Sequence, residues 1–392
     1  MISVGEAKKI LCNFLKPLPS SATHILRCLG SVLAEDVCSP HDVPFFDNSA
    51  MDGYALRYSP DITTYKITQH IQAGCIPEKL NEGEAARIFT GAPIPEFADT
   101  VVPQEIVTIK DNCLVEFSTD AVKPGANVRK KGEQCKKGQL MLKAGTILQP
   151  PHVALLASAG IAHIQVYSKP SVALIVSGNE LVEPESEILP QGYIYNSNHY
   201  TVKAFLQNLG LEVQAYKQVC DEKNLLRECI ENFLSDHDVL ILTGGISVGE
   251  YDYVYEILQE LNVHTLFHKI KQKPGKPMYC GYRDNKLIFA LPGNPASVLT
   301  CLAVYVKPSM LTMMGYKNTF CPNAHVPIAQ EFKKKAGISQ FLKAKIKDSM
   351  VYILGGQDSF NLMPFAEADA IAEIPEELSF VEEKTIISVY YL

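Results

Sequence analysis

Val239-Leu240-Ile241-Leu242-Thr243-Gly244-Gly245-Ile246-Ser247-Val248-Gly249 is the stretch whose reading decides the fold. An uninterrupted apolar run suits a strand covered on both faces, and the glycine-rich turn suits the point where such a strand hands over to a helix. Two other segments repeat the arrangement. Val172–Val176 runs into Ser177-Gly178-Asn179-Glu180, and Leu287–Leu291 runs into Pro292-Gly293-Asn294-Pro295-Ala296-Ser297. Helical patterns lie between the strands. One runs from about 198 to Gly210; one follows a Glu212–Val219 strand, with Leu225, Leu226, Cys229, Ile230 and Phe233 on one face; others span about 251–261 and start at Pro295. Strands alternating with helices predict parallel strands with helices on both faces, over about 168–310.

The texture differs on either side. Ser3 and Glu6 have capping-box spacing, and Val4, Ala7, Ile10, Leu11 and Phe14 share a face, so 3–16 is expected to be an amphipathic helix. A second short helical pattern precedes Asp36. From about 41 to 150, short β-like runs punctuated by Gly and Pro predict a sheet or barrel module, centred on about 45–140, with elongated connections. After Pro308 the pattern is again β, at Val326–Phe332, Gln340–Ile346, Val351–Leu354, Ala370–Ile374 and Thr385–Tyr391. The expected division is therefore 1–165, 168–310 and 320–392.

Composition narrows the function. The 392 residues carry 36 Lys and Arg against 43 Asp and Glu, a net charge of −7, which argues against a general attraction to nucleic acid or anionic membrane. Eleven cysteines without a Cys-x-x-Cys pair read as reduced thiols, and ten dispersed histidines do not suggest zinc. Neither a signal peptide nor a run of ~20 apolar residues is visible, so a soluble cytoplasmic protein is expected.

The three strand-end loops are where a doubly wound sheet binds ligands, and the helix starts behind them offer N–H groups to an anion. Turns of this kind need Gly, Asn and Pro in any case, but three in one domain favour a phosphate-bearing ligand. No Walker A pattern occurs. Lys269, Lys271, Lys273 and Lys276 form a basic cluster. Strand alternation would put the first three on one face, as a solvated edge or as a lining for phosphate or oxyanion charge. A second basic run is Arg129-Lys130-Lys131. Among acidic candidates, Asp52 heads an Asp-Gly turn and Asp221 has the position of a helix N-cap. Asp238 is a further candidate, while Glu180 and Asp252 follow the glycine loops. Carboxylates beside phosphates suggest magnesium. The residues alone thus reach a site for an anionic, nucleotide-like ligand and a divalent cation.

Longer motifs go further. Ser49-Ala50-Met51-Asp52-Gly53-Tyr54, Thr90-Gly91-Ala92-Pro93-Ile94-Pro95 with Gln104-Glu105, and Val128-Arg129-Lys130-Lys131-Gly132-Glu133 precede the three loops. Together with Asp252-Tyr253 and Lys273-Pro274-Gly275-Lys276-Pro277, they resemble, in order and over essentially the whole chain, the MoeA family, which includes the C-terminal domain of gephyrin. The resemblance implies a multidomain α/β and β fold: an elongated N-terminal region with an inserted β module, a central three-layer α/β molybdopterin-binding domain and a small C-terminal β-barrel-like domain. It implies a molybdopterin molybdenumtransferase that ligates molybdate to the dithiolene of adenylylated molybdopterin and releases AMP, assisted by magnesium. It also implies a homodimer whose cleft combines both chains, and an upstream molybdopterin adenylyltransferase as supplier.

By motif position, Glu180, Asp221, Asp252, Lys269 and Lys273 are implied as catalytic, with Glu180 and Asp252 toward the metal. Asp52, Thr90, Arg129, Gly244, Gly245, Ser247, Lys276, Pro292, Gly293, Asn294 and Ser359 are implied in substrate binding, with Lys273, Lys276 and Ser359 lining a molybdate pocket. Three positions depart from the family's usual pattern. Asn179 stands where Asp is usual, Gln134 follows Gly132-Glu133 where many members have Asp, and Lys343 follows Phe341-Leu342 where Arg is frequent. Losing two carboxylates bears on magnesium affinity, and lysine at 343 is expected to weaken molybdate capture, because it lacks arginine's bidentate fork. The alternatives are an adenylyltransferase, which would resemble only 170–310, and a gephyrin-like scaffold.

Overall fold

Ser3 and Glu6 do cap the first helix: the Glu6 N–H donates to Ser3 Oγ at 3.1 Å and the Ser3 N–H to Glu6 Oε2 at 2.7 Å. This helix, α1 (Val4–Phe14), buries Val4, Ala7 and Leu11. The computed structural model describes residues 1–246 and 253–392, and these fall into two compact units. One comprises Met1–Ser21, Gly30–Val32 and Tyr167–Leu392; the other comprises Ala22–Leu29 and Leu33–Val166.

The unit around Leu33–Val166 is the expected β module. Its main sheet contains β1 (Gly53–Leu56), β2 (Thr64–Ile71), β3 (Glu84–Ile88), β4 (Thr100–Pro103), β5 (Thr108–Lys110) and β6 (Leu114–Glu116), in the order β4-β1-β3-β2-β6-β5. Strands β2 and β3 are parallel and the other neighbours antiparallel. Gly53 has to be glycine here, because a Cβ would lie 2.1 Å from the Val102 carbonyl oxygen across β4. The helical pattern before Asp36 amounts to one 3₁₀ turn, Ile25–Arg27. A helix not anticipated, α2 (Pro150–Ser158), starts where Pro at the first turn costs no hydrogen bond.

The larger unit holds a six-stranded sheet. Its members are β7 (Val172–Ser177), β8 (Val213–Val219), β9 (Val239–Thr243), β10 (His264–His268), β11 (Tyr279–Arg283) and β12 (Lys286–Leu291), ordered β8-β7-β9-β12-β11-β10. The first four are parallel. The last two are antiparallel, a departure from the all-parallel expectation. Side chains alternate between two cores. Leu174, Val176 and Ile241 face α1, α3 (Ser197–Asn208) and the helical run Pro295–Met313, while Ile175, Leu240 and Leu242 face α4 (Lys223–Asp236) and α5 (Val254–Glu260). Each such side chain stabilises the fold by about 1.5–3 kcal/mol. On α4 the buried face is Leu226, Cys229, Ile230 and Leu234; Leu225, placed on it by the sequence reading, is exposed.

Helix α6 (Pro295–Cys301) continues through a π-turn, Leu302–Val306, into α7 (Lys307–Met313), so the helix outlasts Pro308, where β texture was expected. The run is long and apolar enough to cross a membrane, but 78% of its apolar window is buried in the fold, as for a core helix. Beyond it, β13 (Ala324–Pro327), β14 (Ser339–Lys347), β15 (Met350–Ile353), β16 (Ala370–Ile374) and β17 (Ile386–Tyr391) form a sheet in the order β14-β16-β17-β13, with β15 on β14. A bridge from Ile328 to Val351 curls it toward closure. The two-residue strand Gln272–Lys273, from the α/β region, adds itself to β14 in parallel.

Candidate functional site

In chain order β7 is followed by β8 on one side and β9 on the other, so strand order reverses between β7 and β9. Such a reversal leaves a crevice at the carboxyl edge. A cleft of 520 Å³ lies there, lined among others by Ser177, Glu180, Asp221, Gly244, Gly245, Gly293 and Asn294. All three loops singled out in the sequence therefore meet at one site.

Glycine is needed for that meeting. Gly244 has φ +89°, and a Cβ on it would lie 2.3 Å from the Ser177 carbonyl oxygen. Gly245 has φ +63°, and a Cβ there would approach Val254 to 2.9 Å. Asn294 precedes α6 and Pro295 occupies its first turn, so the amino end of this helix opens on the cleft. Asn198 ties the far wall to the same loop, its amide donating to the Gly293 carbonyl at 2.7 Å.

Glu180 and Asp221 bring two carboxylates to the cleft. Asp221 is not the cap of α4, a position taken by Glu222. Instead it accepts from the Ser177 hydroxyl, and its backbone N–H donates to Asn179 Oδ1 at 3.0 Å. The amide oxygen of Asn179 thus supplies the acceptor an aspartate would have offered, without another negative charge. Ser247 and Asp252 lie outside the described residues.

The lysines behave differently from the sequence reading. None of Lys269, Lys273 and Lys276 lines this cleft. Lys269, Lys271 and Lys273 do not share a strand face either, because Lys269 has φ +65° and only Gln272–Lys273 is extended. Lys271 pairs with Glu376 at 3.6 Å, while Lys273 and Lys276 are exposed. Their loop is pinned by buried Gln272, whose amide donates to the Pro274 carbonyl at 3.0 Å. Ser359 meets the site through its backbone, accepting from the Ala296 N–H at 3.1 Å, while its neighbour Phe360 lines the cleft. Lys343 is buried, with Nζ donating to three loop carbonyls, so its side chain is spent within the fold. Burial lowers its pKa, and the Asp358 carboxylate works in the opposite direction.

Sequence reasoning missed the flap that forms one wall. Leu181–Val182 pairs in parallel with Ile194–Tyr195, and Ile194 and Tyr195 line the cleft. Behind the flap, Asn196 Oδ1 accepts from the His199 N–H at 3.1 Å and caps α3, while its Nδ2 reaches Tyr216 at 3.0 Å and Glu183 at 3.1 Å. Tyr216 donates to Glu183 at 2.6 Å, and the His199 ring stacks on Tyr216 at 3.5 Å. Asn196, just before the helical pattern, was the available signal.

In the other unit, the three N-terminal motifs converge on one another. Ser49 bonds through its backbone to Gly91 and Ala92 at 2.8 and 3.0 Å, and Asn48–Ser49 pairs with Val128–Arg129. Asp52 accepts from the Thr90 N–H at 2.8 Å and hydroxyl at 2.7 Å. These bonds, the backbone one first, hold its carboxyl below the usual range. Arg129 is exposed on that short strand.

A doubly wound unit with a carboxylate-bearing cleft at its switch point defines the class: α/β proteins that take a ligand where the strand order reverses. Family models place it more closely. Residues 2–160 match the MoeA N-terminal region (domain I and II), 173–312 the probable molybdopterin binding domain, and 325–392 the MoeA C-terminal region (domain IV). The chain is 34% identical over 355 residues to a molybdopterin molybdenumtransferase of Staphylococcus aureus, covering 88% of this chain and 83% of that protein. A counterpart from Staphylococcus epidermidis is 33% identical over 386 residues, covering 95% and 91%. The crystal structure of the molybdopterin biosynthesis MoeA protein from Pyrococcus horikosii superposes with a TM-score of 0.84 at 31% identity, covering 100% of this chain and 99% of that one. The chain belongs to the MoeA family.

Proposed function

We propose that the chain is a molybdopterin molybdenumtransferase of molybdenum cofactor biosynthesis, acting on adenylylated molybdopterin and molybdate and releasing AMP. The observation that carries this reading is the cleft at the strand reversal, where Glu180 and Asp221 stand beside three glycine-bearing loops and the amino end of α6. Glycines let a phosphate approach the backbone of these loops, and α6 adds the positive end of its dipole, its first N–H groups being already engaged by the Ser359 and Asn294 carbonyls.

Two carboxylates in one cleft suit a magnesium ion, which takes one or two protein carboxylates and completes its shell with phosphate and water. Glu180 and Asp221 would hold the ion, with Asp252 as the further ligand the resemblance implies. Bound there, magnesium offsets the charge of the phosphoanhydride. Asp221, with one oxygen engaged by Ser177, keeps its orientation toward the cleft. Water enters at phosphorus as the P–O–P bridge breaks, giving AMP and molybdopterin. Two Mo–S bonds then form as one molybdate oxygen leaves with both thiol protons as water. Lys273 and Lys276, exposed on their own loop and outside this cleft, are assigned to neutralising molybdate on the resemblance alone, with Lys269 as a further catalytic cation. Asp52, Thr90 and Arg129 are assigned to the substrate.

The reading includes a homodimer, an adenylyltransferase that supplies the substrate, and a cytoplasmic setting. All eleven cysteines are free thiols, as a reducing compartment would keep them. The test is incubation of the protein with adenylylated molybdopterin, magnesium and molybdate, following AMP release and reconstitution of a molybdenum-free apoenzyme. Molybdate-dependent release is expected, and Asp221→Asn, which weakens the hold on magnesium, should slow it by about 10–100-fold. Binding without cleavage would overturn the transferase reading.

A further inference from the structure

Lys343 lies on β14 between buried Leu342 and Ala344 and is only 3% exposed. Its Nζ donates to the carbonyls of Gly356, Asp358 and Asn361 at 2.8, 2.9 and 2.8 Å. An ammonium has three N–H donors, so all are spent inside the protein. The Phe365 ring lies 5.3 Å from the same nitrogen. The backbone of Lys343 is gripped as well: its N–H donates to Gln357 Oε1 and its carbonyl accepts from Gln357 Nε2, both at 3.0 Å. The side-chain amide of Gln357 thereby extends the ladder where β15 ends, beside the Leu354 N–H, which donates to the same Lys343 carbonyl at 3.0 Å. Segment 356–361 is wound around one buried cation, and its outer turn reaches the cleft twice. The Ser359 carbonyl accepts from Ala296 in the first turn of α6, and Phe360 lines the cleft while remaining 72% exposed.

We infer that Lys343 is a positioning residue for the substrate cleft: its ammonium holds the 356–361 loop against the amino end of α6, sets Phe360 at the mouth, and does not itself bind an oxyanion. The inference rests on the proposed reading of the cleft as the substrate site. Removing the charge strands three carbonyls without a donor, a loss the loop can relieve only by moving toward water.

The chain contains no tryptophan, so Phe360→Trp places a single indole at the cleft mouth. In that background Lys343→Met is expected to red-shift the indole emission and raise its quenching by acrylamide. With Phe360 retained, Lys343→Met should raise KM for adenylylated molybdopterin by about tenfold while kcat stays within about twofold, the pattern of lost binding. Val351→Ala, which opens a cavity in the same β core, serves as control; it should lower Tm without altering the quenching. Direct oxyanion binding would instead raise KM for molybdate and leave the indole unchanged, which overturns the inference. Equal quenching in the Val351→Ala protein also overturns it, because the loop would then be responding to general loosening. Should the unsubstituted protein release no AMP, the transferase reading fails, and the indole contrast alone still decides whether Lys343 holds the loop.

Discussion

At Glu183, burial works against the charge, but donors from Tyr216, then His199 and Tyr200, outweigh it and hold the carboxyl below its ordinary value of 4.5. The unfolded chain therefore binds this proton more readily than the folded one. The resulting stabilisation is present above the ordinary value and is lost as pH falls through the lowered one. The Tm gap between wild type and Glu183→Gln should accordingly be widest near neutrality and close in acid. A gap that ignores pH would show that the charge is not what holds the flap. Single residues were legible in type and not in direction. Glu180 could be placed by its loop, but only the fold shows Asp221 turned toward Ser177 and away from its helix, or the nitrogen of Lys343 turned inward. A carbonyl 15 residues away along the chain leaves no mark at position 343 itself.

Elements were legible where burial wrote them twice. Strands β7 and β9 are covered on both faces, so every position is buried, all but the last (Ser177 and Thr243) are apolar, and their limits stand out. The loop that follows β9 allows a sharp prediction. Gly244→Ala would meet the Ser177 carbonyl and keep an unfavourable φ, costing about 1–3 kcal/mol for the backbone alone. Loss of AMP release should accompany a lower urea midpoint, and an alanine protein with unchanged midpoint would mean the loop has room to spare. Other elements were obscured for physical reasons. Strands β10 and β11, mixed in composition and paired antiparallel, were not read from the sequence at all, and side-chain periodicity would in any case carry no strand direction. The lysine segment reads as an alternating strand, but the left-handed turn at Lys269, set by backbone bonds with Ile2 and Met278, breaks it. A π-turn ahead of Pro308 lets the helix pass a residue that usually ends one.

On the scale of the molecule, the sequence conveyed a β module, an α/β sheet and a terminal β sheet, because each has its own periodicity. It could not convey which parts share a core. Residues 1–21 join the α/β unit through α1, although they precede the module in the chain. The α/β region and the terminal sheet also fall in one unit, with Gln272–Lys273 hydrogen-bonded along β14. Calorimetry should therefore show the unfolding of Tyr167–Leu392 as a single transition whose van't Hoff and calorimetric enthalpies agree. Separate peaks for the two regions would contradict that. The borrowed strand has one more consequence. The matched family segments end at 312 and resume at 325, but the ladder joins residue 272 to residue 339 across that gap. A gene cut at the gap would leave β14 with an unpaired border and the Lys-Pro-Gly-Lys loop without its backing. Two segments that separate family models match would then prove to be one cooperative unit.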